Sequence, residues 1–277
     1  MNNKGQSEDI KFLPLLSIIT VCRNSEATIN QTFRSVYNQS YKNIEYIVVD
    51  GLSSDGTQDI ISEYQRKFQS KGIGFQWVSE KDKGIYDAMN KGIAMSKGEI
   101  IGILNSDDFY EPGALERIAS VALDRPQYGI FYGFLRVIMN DGRELQTYRY
   151  RYENYLLNTE TKVLSGAQHP TCFVRRNVYD QIGGFDLQFP IAADYDFLLR
   201  AMKTGIKFYA LNKVLCNFRL GGISDCMNDY ERFNQRYGVL KKNNLLSESD
   251  AQRMKKYVKY QKYKAIKQIL AKKLFRI

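Results

Sequence analysis

The stretch EIIGILNSDDFY (99–110) places two adjacent carboxylates, Asp107 and Asp108, directly after an apolar run that is typical of a buried strand. Carboxylates at the end of a buried strand are costly unless a cation meets them. Hard divalent cations such as Mg²⁺ and Mn²⁺ prefer oxygen ligands, and they often bind through one or two carboxylates and the phosphates of a substrate. The stretch therefore suggests a site for a metal and a nucleotide. The alternative is that the two acids only cap the helix that starts near Pro112.

Around this stretch, the chain alternates β-rich runs with amphipathic helical segments. The predicted strands cover 15–21, 44–50, 73–78 and 99–104, and the predicted helices lie near 26–39, 57–70 and 84–96. Such alternation is typical of parallel strands joined by right-handed crossovers. The expected fold class is α/β, with a mostly parallel, Rossmann-like sheet flanked by helices.

Polar residues stand where these strands end. They are Thr20, Arg23 and Asn24 after the first strand, Asp50 after the second, Ser79, Glu80 and Asp82 after the third, and Asp107 and Asp108 after the fourth. Ligands bind at the carboxyl ends of the strands in such sheets, so we expect these residues to meet at one edge. For Asp50 and Asp82, the alternative is a role in a turn or a helix cap.

Two common nucleotide-binding motifs are absent from the sequence. The first strand ends in TVCRN (20–24) rather than in a Gly-x-Gly-x-x-Gly turn, and no Gly-Lys-Ser/Thr loop follows any strand. These absences weigh against dinucleotide-dependent dehydrogenases and P-loop NTPases.

The pattern changes after residue 125. Strand-like runs at 128–139 and 144–150 flank Asn140-Asp141-Gly142, which is a strong hairpin signal. An apolar and helical block from His169 to Phe218 follows, and we expect it to form the other wall of a cleft. In the third predicted helix, Tyr86, Met89 and Ile93 share one face, which indicates core positions.

The net charge of +10 lies entirely in the last 37 residues. Residues 1–240 carry 28 basic and 28 acidic side chains, whereas 241–277 carry 12 basic side chains and 2 acidic ones. Within 254–277, an apolar stripe flanked by lysines contains Tyr263, Ile266, Leu270, Leu274 and Ile277. A basic amphipathic helix of this kind suits an anionic membrane surface, and the alternative is a helix packed on the domain. Nucleic-acid binding is disfavoured because the body has no basic excess.

The remaining composition suggests a cytoplasmic protein. The N-terminus, MNNKGQSEDIKF, does not fit a secretory signal, and no apolar run reaches the length of a membrane span. Four cysteines, at 22, 172, 216 and 226, have neither metal-ligand nor disulfide-framework spacing and are expected to be reduced.

Six ordered segments together resemble the inverting nucleotide-sugar glycosyltransferases of glycosyltransferase family 2, which have a GT-A-type fold and include bacterial O-antigen, capsule and exopolysaccharide enzymes. The segments are SIITVCRN (17–24), VVDGLSSDGT (48–57), SEKDKGIYDAMNKGI (79–93), LNSDD (104–108), GGFDLQFPIAADYDFLLR (183–200) and FRLGGIS (218–224). Two departures stand out. Ser106 replaces the first acid of the Asp-x-Asp metal motif, and Ala193 replaces the first member of an acidic pair.

The resemblance implies roles on the donor side. Asp108 would bind Mn²⁺ or Mg²⁺ at the donor diphosphate, and Asp107 would accept a ribose hydroxyl or a metal-bound water. Asp50 and Asp82 would bind a uracil N–H edge or the ribose, and Thr20 would help to form the base pocket. Arg219 would meet the diphosphate in a loop that Gly221 and Gly222 allow to close; a surface salt bridge is its alternative.

On the acceptor side, the resemblance makes Asp194 the general base. Asp196 is spaced to pair with Arg200 one helical turn later. His169, the single histidine, would contact the acceptor or a donor phosphate, and the alternative is a structural role.

The expected organisation is a catalytic domain over 1–225, with a nucleotide-binding half (15–125) and an acceptor-binding half (126–225), and a basic helical extension over 226–277. The expected activity, as the resemblance implies it, is metal-dependent, inverting transfer of a sugar from a nucleoside-diphosphate donor, with UDP as the expected nucleotide. The expected acceptor is a hydroxyl of a glycan or of a polyprenyl-diphosphate-linked saccharide at the cytoplasmic face of the membrane, in the synthesis of a bacterial surface polysaccharide. A sugar nucleotidyltransferase and a non-catalytic carbohydrate-binding protein are the alternatives.

Overall fold

The computed structural model describes residues 13–149, 167–221 and 229–249, and single residues between 252 and 263. The strands are β1 Leu16–Cys22, β2 Ile44–Asp50, β3 Gly74–Ser79, β4 Ile100–Ile103, β5 Phe109–Tyr110, β6 Ile130–Ile138, β7 Glu144–Tyr148, β8 Phe173–Arg175 and β9 Phe208–Arg219. The helices are α1 Ile29–Tyr37, α2 Thr57–Ser70, α3 Ile85–Met95, α4 Ala114–Asp124, α5 Arg176–Ile182, α6 Ala193–Lys203 and α7 Asp229–Lys242.

All nine of these strands form one mixed sheet in the order β3-β2-β1-β4-β8-β6-β9-β5, with β7 paired to β6. Strands β3, β2, β1 and β4 are parallel, and β8 is antiparallel to both of its neighbours, β4 and β6. The predicted α/β class and the alternation of strands and helices in the first half are therefore confirmed.

Helices cover both faces of the parallel part of the sheet. Every residue of β1, β2 and β4 is buried, as expected for strands packed between two helical layers. Phe33 of α1 and Phe68 of α2 belong to the core on one face. Met89 of α3 and Phe197 of α6 belong to the core on the other.

The block from His169 to Phe218 contains the predicted helical segments, as α5 and α6, together with two strands that the helical prediction did not include. A short 3₁₀ helix, His169–Thr171, leads into β8, and the twelve-residue strand β9 follows α6. Buried and exposed residues of β9 do not alternate. The reason is that the pairing of β9 with β6 shifts register around Phe134. The hairpin at Asn140-Asp141-Gly142 is confirmed, with the Gly142 N–H donating to the Met139 carbonyl at 2.9 Å.

Strand directions bring distant segments to one edge of the sheet. The parallel strands β1 to β4 all end there. Strand β8 is antiparallel to both β4 and β6, so β6 runs in the same direction as β4 and ends at this edge too. Strand β9 is parallel to β6 and also ends there. Since β8 runs the other way, it begins at this edge, directly after the 3₁₀ helix. This edge also contains the reversal of strand order between β1 and β4, where ligands bind in open α/β sheets.

Most of the basic stripe lies outside the described residues; Tyr263 is the one described member, and it is exposed. Nearby, the ring of Tyr257 contacts Phe233 of α7, with 4.5 Å between the centroids. Among the described residues, no helix is long and apolar enough to cross a membrane.

Candidate active site

The two acids of the 105–108 turn, which we call the acid turn, have different surroundings. Asp108 is completely buried; its Oδ1 accepts the Arg219 N–H at 3.0 Å, and its Oδ2 accepts the Asn105 Nδ2–H at 3.2 Å. Burial, followed by the negative charge of Asp107, raises the pKa of Asp108 well above its usual range. Asp107 itself is partly exposed. The structure thus places the predicted ligand Asp108 in the interior and its neighbour at the surface.

The acid turn has the chemistry to bind a hard cation. Two carboxylates lie side by side, and the buried Asn105 Oδ1 has no hydrogen-bond partner in the described part of the chain. The described residues include no group of three His, Cys, Asp or Glu side chains that could hold a metal. The oxygen atoms of the acid turn fit Mg²⁺ or Mn²⁺, because these ions often bind through one or two carboxylates and complete their coordination with water and substrate phosphates.

The loops after β1 and β2 are locked together beside the acid turn. The Asn24 N–H donates to Ser53 Oγ, and Asn24 Oδ1 accepts the Ser54 N–H, both at 2.8 Å. The Ser25 hydroxyl lies 2.8 Å from the Ser106 hydroxyl, which joins the first loop to the acid turn. Sequence reasoning missed Ser25, since a serine after a strand end carries no specific signal.

Thr20 and Asp50 support the edge from inside. Thr20 is fully buried, and its hydroxyl lies 2.9 Å from the Tyr46 hydroxyl of β2. Asp50 is also fully buried and accepts hydrogen bonds from Ser79 Oγ at 2.6 Å and Gln58 Nε2 at 3.1 Å. Both side chains thus lie below the surface and form hydrogen bonds within the protein, whereas the prediction had them contact the base or the ribose of a nucleotide.

Asp82 stays at the surface of the same edge. It is partly exposed, and its Oδ1 accepts the Gly84 N–H at 2.9 Å. Its Oδ2 occupies the space beside Gly51, where a Cβ atom would lie only 2.4 Å away. The same Cβ position is 3.5 Å from the side chain of Arg23. Glycine at position 51 thus makes room for Asp82.

Arg219 ties the end of β9 to three other segments. Its Nε donates to the Asp107 carbonyl at 3.3 Å, its Nη1 to the Asn140 carbonyl at 3.3 Å and its Nη2 to Gln31 Oε1 at 2.6 Å. Among the described residues, these hydrogen bonds take the place of the surface salt bridge that was the alternative for Arg219, and its contact with a diphosphate stays a prediction. Of the predicted closing loop, Gly221 is described, with a φ of +105°, and Gly222 lies outside the described residues.

Asp194 and Asp196 both lie in the first turn of α6. Asp194 is partly exposed, and its Oδ1 accepts two hydrogen bonds, from the Tyr195 N–H at 2.8 Å and from the Tyr86 hydroxyl at 2.9 Å. Asp196 is completely buried and pairs with Arg200 at 2.7 Å, as predicted. The helical pattern of the sequence predicts Tyr86 as a core residue, and its ring is buried. The pattern does not predict the hydrogen bond that its hydroxyl donates to Asp194.

His169 lies close to Asp194 and is buried. Its ring meets the Phe185 ring in an edge-on contact with 5.3 Å between centroids. Burial lowers the pKa of His169 below its ordinary value, and this effect outweighs the opposing influence of the Asp194 charge. The imidazole is therefore held in its neutral form in the wall beside Asp194.

Comparisons with known proteins agree with this arrangement. The family described as glycosyl transferase family 2 matches residues 17–183. An uncharacterised glycosyltransferase of Mycobacterium tuberculosis is 32% identical over 215 residues, which cover 76% of this chain and 77% of that protein. A putative teichuronic acid biosynthesis glycosyltransferase of Bacillus subtilis, TuaG, is 27% identical over 223 residues, covering 79% and 84%.

Two solved structures share the fold. Staphylococcus aureus TarS in complex with UDP-GlcNAc has a TM-score of 0.64 at 17% identity, covering 86% of this chain and 69% of that one. The mannosyltransferase PcManGT of Pyrobaculum calidifontis, in complex with GDP-Man and Mn²⁺, has a TM-score of 0.64 at 15% identity, covering 89% and 70%. At these identities the likeness concerns the fold, whereas the family match spans more than half of the chain. The chain therefore belongs to glycosyl transferase family 2 and is a glycosyltransferase.

Proposed function

We propose that this enzyme transfers a sugar, with inversion, from a UDP-sugar to a hydroxyl group of a glycan or lipid-linked saccharide during synthesis of a bacterial surface polysaccharide. The observation that carries the proposal is the partly exposed Asp194, which accepts a hydrogen bond from Tyr86 in the first turn of α3, the helix that follows β3 at the sheet edge holding the acid turn. The similarity to TuaG, a putative teichuronic acid biosynthesis glycosyltransferase, supports the choice of polymer, and the UDP-GlcNAc bound to TarS supports the choice of donor.

On the donor side, we assign the acid turn to a divalent cation, with Asp108 as its ligand and the partly exposed Asp107 as the contact of a ribose hydroxyl or a metal-bound water. The hydrogen bonds that the two Asp108 oxygens accept from Arg219 and Asn105 hold this carboxylate in place. A bound Mn²⁺ or Mg²⁺ supplies positive charge for the departing diphosphate. The Mn²⁺ in the mannosyltransferase complex supports a cation of this kind.

The base and ribose of the donor are assigned to Asp82, which is the partly exposed acid next to the two locked loops. Its carboxylate accepts the N–H of a uracil or a ribose hydroxyl. Asp50 and Thr20 hold the strands beneath it, and Arg219 holds the acid turn in place and adds positive charge near the diphosphate.

On the acceptor side, Asp194 removes the proton from the attacking hydroxyl as the bond to the anomeric carbon forms and the bond to the diphosphate breaks. His169, with a neutral imidazole, forms part of the wall near this carboxylate and contacts the acceptor. The basic segment 254–277 is assigned to an anionic membrane surface, where a lipid-linked acceptor would be found.

The test is nucleotide release from a panel of UDP-, GDP- and dTDP-sugars, with Mn²⁺ or Mg²⁺ and with a chelator. We expect release from a UDP-sugar that the chelator abolishes and that Asp108→Asn reduces at least tenfold. Asp108 is the ligand only if the Asp108→Asn variant also needs more Mn²⁺ for half-maximal rate. Metal-independent release would overturn the cation assignment, and binding of no donor at all would overturn the proposed function.

A further inference from the structure

Tyr86 lies in the first turn of α3 and forms part of the wall around Asp194. Its ring is buried and lies 5.4 Å from the Phe185 ring, between centroids. Phe185 in turn contacts the ring of His169. Three aromatic side chains from three segments of the chain thus pack together next to one carboxylate.

The Tyr86 hydroxyl is the polar contact that this wall makes with Asp194. It donates to Oδ1 at 2.9 Å, across 108 residues of sequence. The same Oδ1 also accepts the N–H of Tyr195, at 2.8 Å. Two donors on one oxygen restrict rotation of the carboxylate about its terminal torsion angle, which is otherwise broad.

Three titratable groups of the described chain respond to the charge of Asp194: Tyr86 on α3, and His169 and Cys172 on the segment before β8. Burial raises the pKa of Tyr86 and of Cys172, and Asp194 raises both further. Burial lowers the pKa of His169. All three groups are therefore neutral near pH 7, and the phenol keeps the proton that it donates.

We propose that Tyr86 is a positioning residue for the transfer reaction. Its hydroxyl holds Oδ1 of Asp194 so that Oδ2 is the oxygen that takes the proton of the acceptor hydroxyl. This inference rests on the proposed function, in which Asp194 is the general base.

The hydrogen bond predicts that a Tyr86 variant changes kcat and KM to different extents. The maximal rate should fall about tenfold, because the carboxylate loses its orientation. The KM for the donor should stay unchanged, since Tyr86 has no contact with the acid turn or with Asp82.

The experiment is a steady-state measurement of kcat and of the KM for the donor in Tyr86→Phe, with hydrolysis of the donor sugar nucleotide as the reaction and water in place of the acceptor. Tyr179→Phe is the matched control, because Tyr179 is buried in the same aromatic cluster and stacks on Phe197 without a hydrogen bond to Asp194. We expect a kcat about tenfold lower with an unchanged KM in Tyr86→Phe, and wild-type values of both in Tyr179→Phe. Donor binding measured by calorimetry checks that both variants fold.

A second comparison separates the two levels of inference. In the Asp194→Asn background, adding Tyr86→Phe should have no further effect, because both changes act through the same carboxylate. If Asp194→Asn is nearly inactive and Tyr86→Phe keeps the wild-type kcat, the positioning role fails and the proposed function stands. If Asp194→Asn keeps wild-type turnover, the assignment of the base itself fails.

Discussion

At the scale of single residues, two acids in one helical turn illustrate how the fold divides function from stability. Asp194 faces Tyr86 and remains partly exposed, whereas Asp196 is buried between Arg200 and the amide of Asn243. The exposed acid can exchange a proton with a substrate. The buried acid joins α6 to the end of α7 and compensates the charge of Arg200.

We predict that Asp194→Asn retains the fold and donor binding but loses about two to four powers of ten in kcat, the typical contribution of a general base. The contrasting variant is Asp196→Asn, which leaves the Arg200 charge without its partner and should lower the free energy of unfolding by about 3 kcal/mol. Urea unfolding and nucleotide-release rates on both variants check this. A stable Asp196→Asn protein, or an active Asp194→Asn enzyme, contradicts the division of roles.

At the scale of elements, the loops after β1, β2 and β3 form one interlocked surface. Asn24 links the first loop to the second, and Gly51 in the second loop leaves the space that Asp82 of the third loop fills. The position of Asp82 therefore depends on the absence of a side chain in another loop.

We predict that Gly51→Ala raises the KM for the donor about tenfold, with a smaller effect on kcat, because its Cβ would lie 2.4 Å from Asp82 Oδ2 and displace that carboxylate. Gly74→Ala is the control, since its Cβ would lie 3.7 Å from the Glu45 Cβ, an ordinary contact. Steady-state kinetics over a range of donor concentrations measure both. An unchanged KM in Gly51→Ala argues against Asp82 as a donor contact.

The elements also show where sequence patterns are informative. Strands β1 to β4 and helices α1 to α3 were predicted, because alternation of short apolar runs and amphipathic segments is a local property of the chain. Strand β9 was not, because its burial follows from a shifted register with β6 and from its place in the sheet between β6 and β5. Such contacts join residues about 80 positions apart and leave no regular period in the sequence.

At the scale of the whole molecule, charge is separated along the chain. The body is neutral, and the final 37 residues carry the whole excess of +10. Leu245 and Leu246 pack against the core of the domain, so these two residues are not assigned to membrane binding.

We predict that the full chain floats with vesicles containing anionic lipid and that a truncation after Ser249 does not, because each Lys or Arg near such a surface contributes about 1 kcal/mol. Truncation at this point keeps Leu245 and Leu246 in their packing. Vesicles of zwitterionic lipid alone serve as the control and should bind neither protein. Equal flotation of both proteins with anionic vesicles removes the membrane assignment.

The sequence by itself determined the parallel half of the fold, the family, and which acids stand at the strand ends, since all of these follow from local patterns and ordered motifs. Only the tertiary structure decided which of those acids face outward. Asp108 is buried and accepts a hydrogen bond from Arg219, which is 111 residues away in the sequence. Asp194 accepts a hydrogen bond from Tyr86, which belongs to another helix. The physical reason is that exposure, hydrogen bonding and pKa depend on neighbours in space, which strand pairing and helix packing bring together from distant parts of the chain.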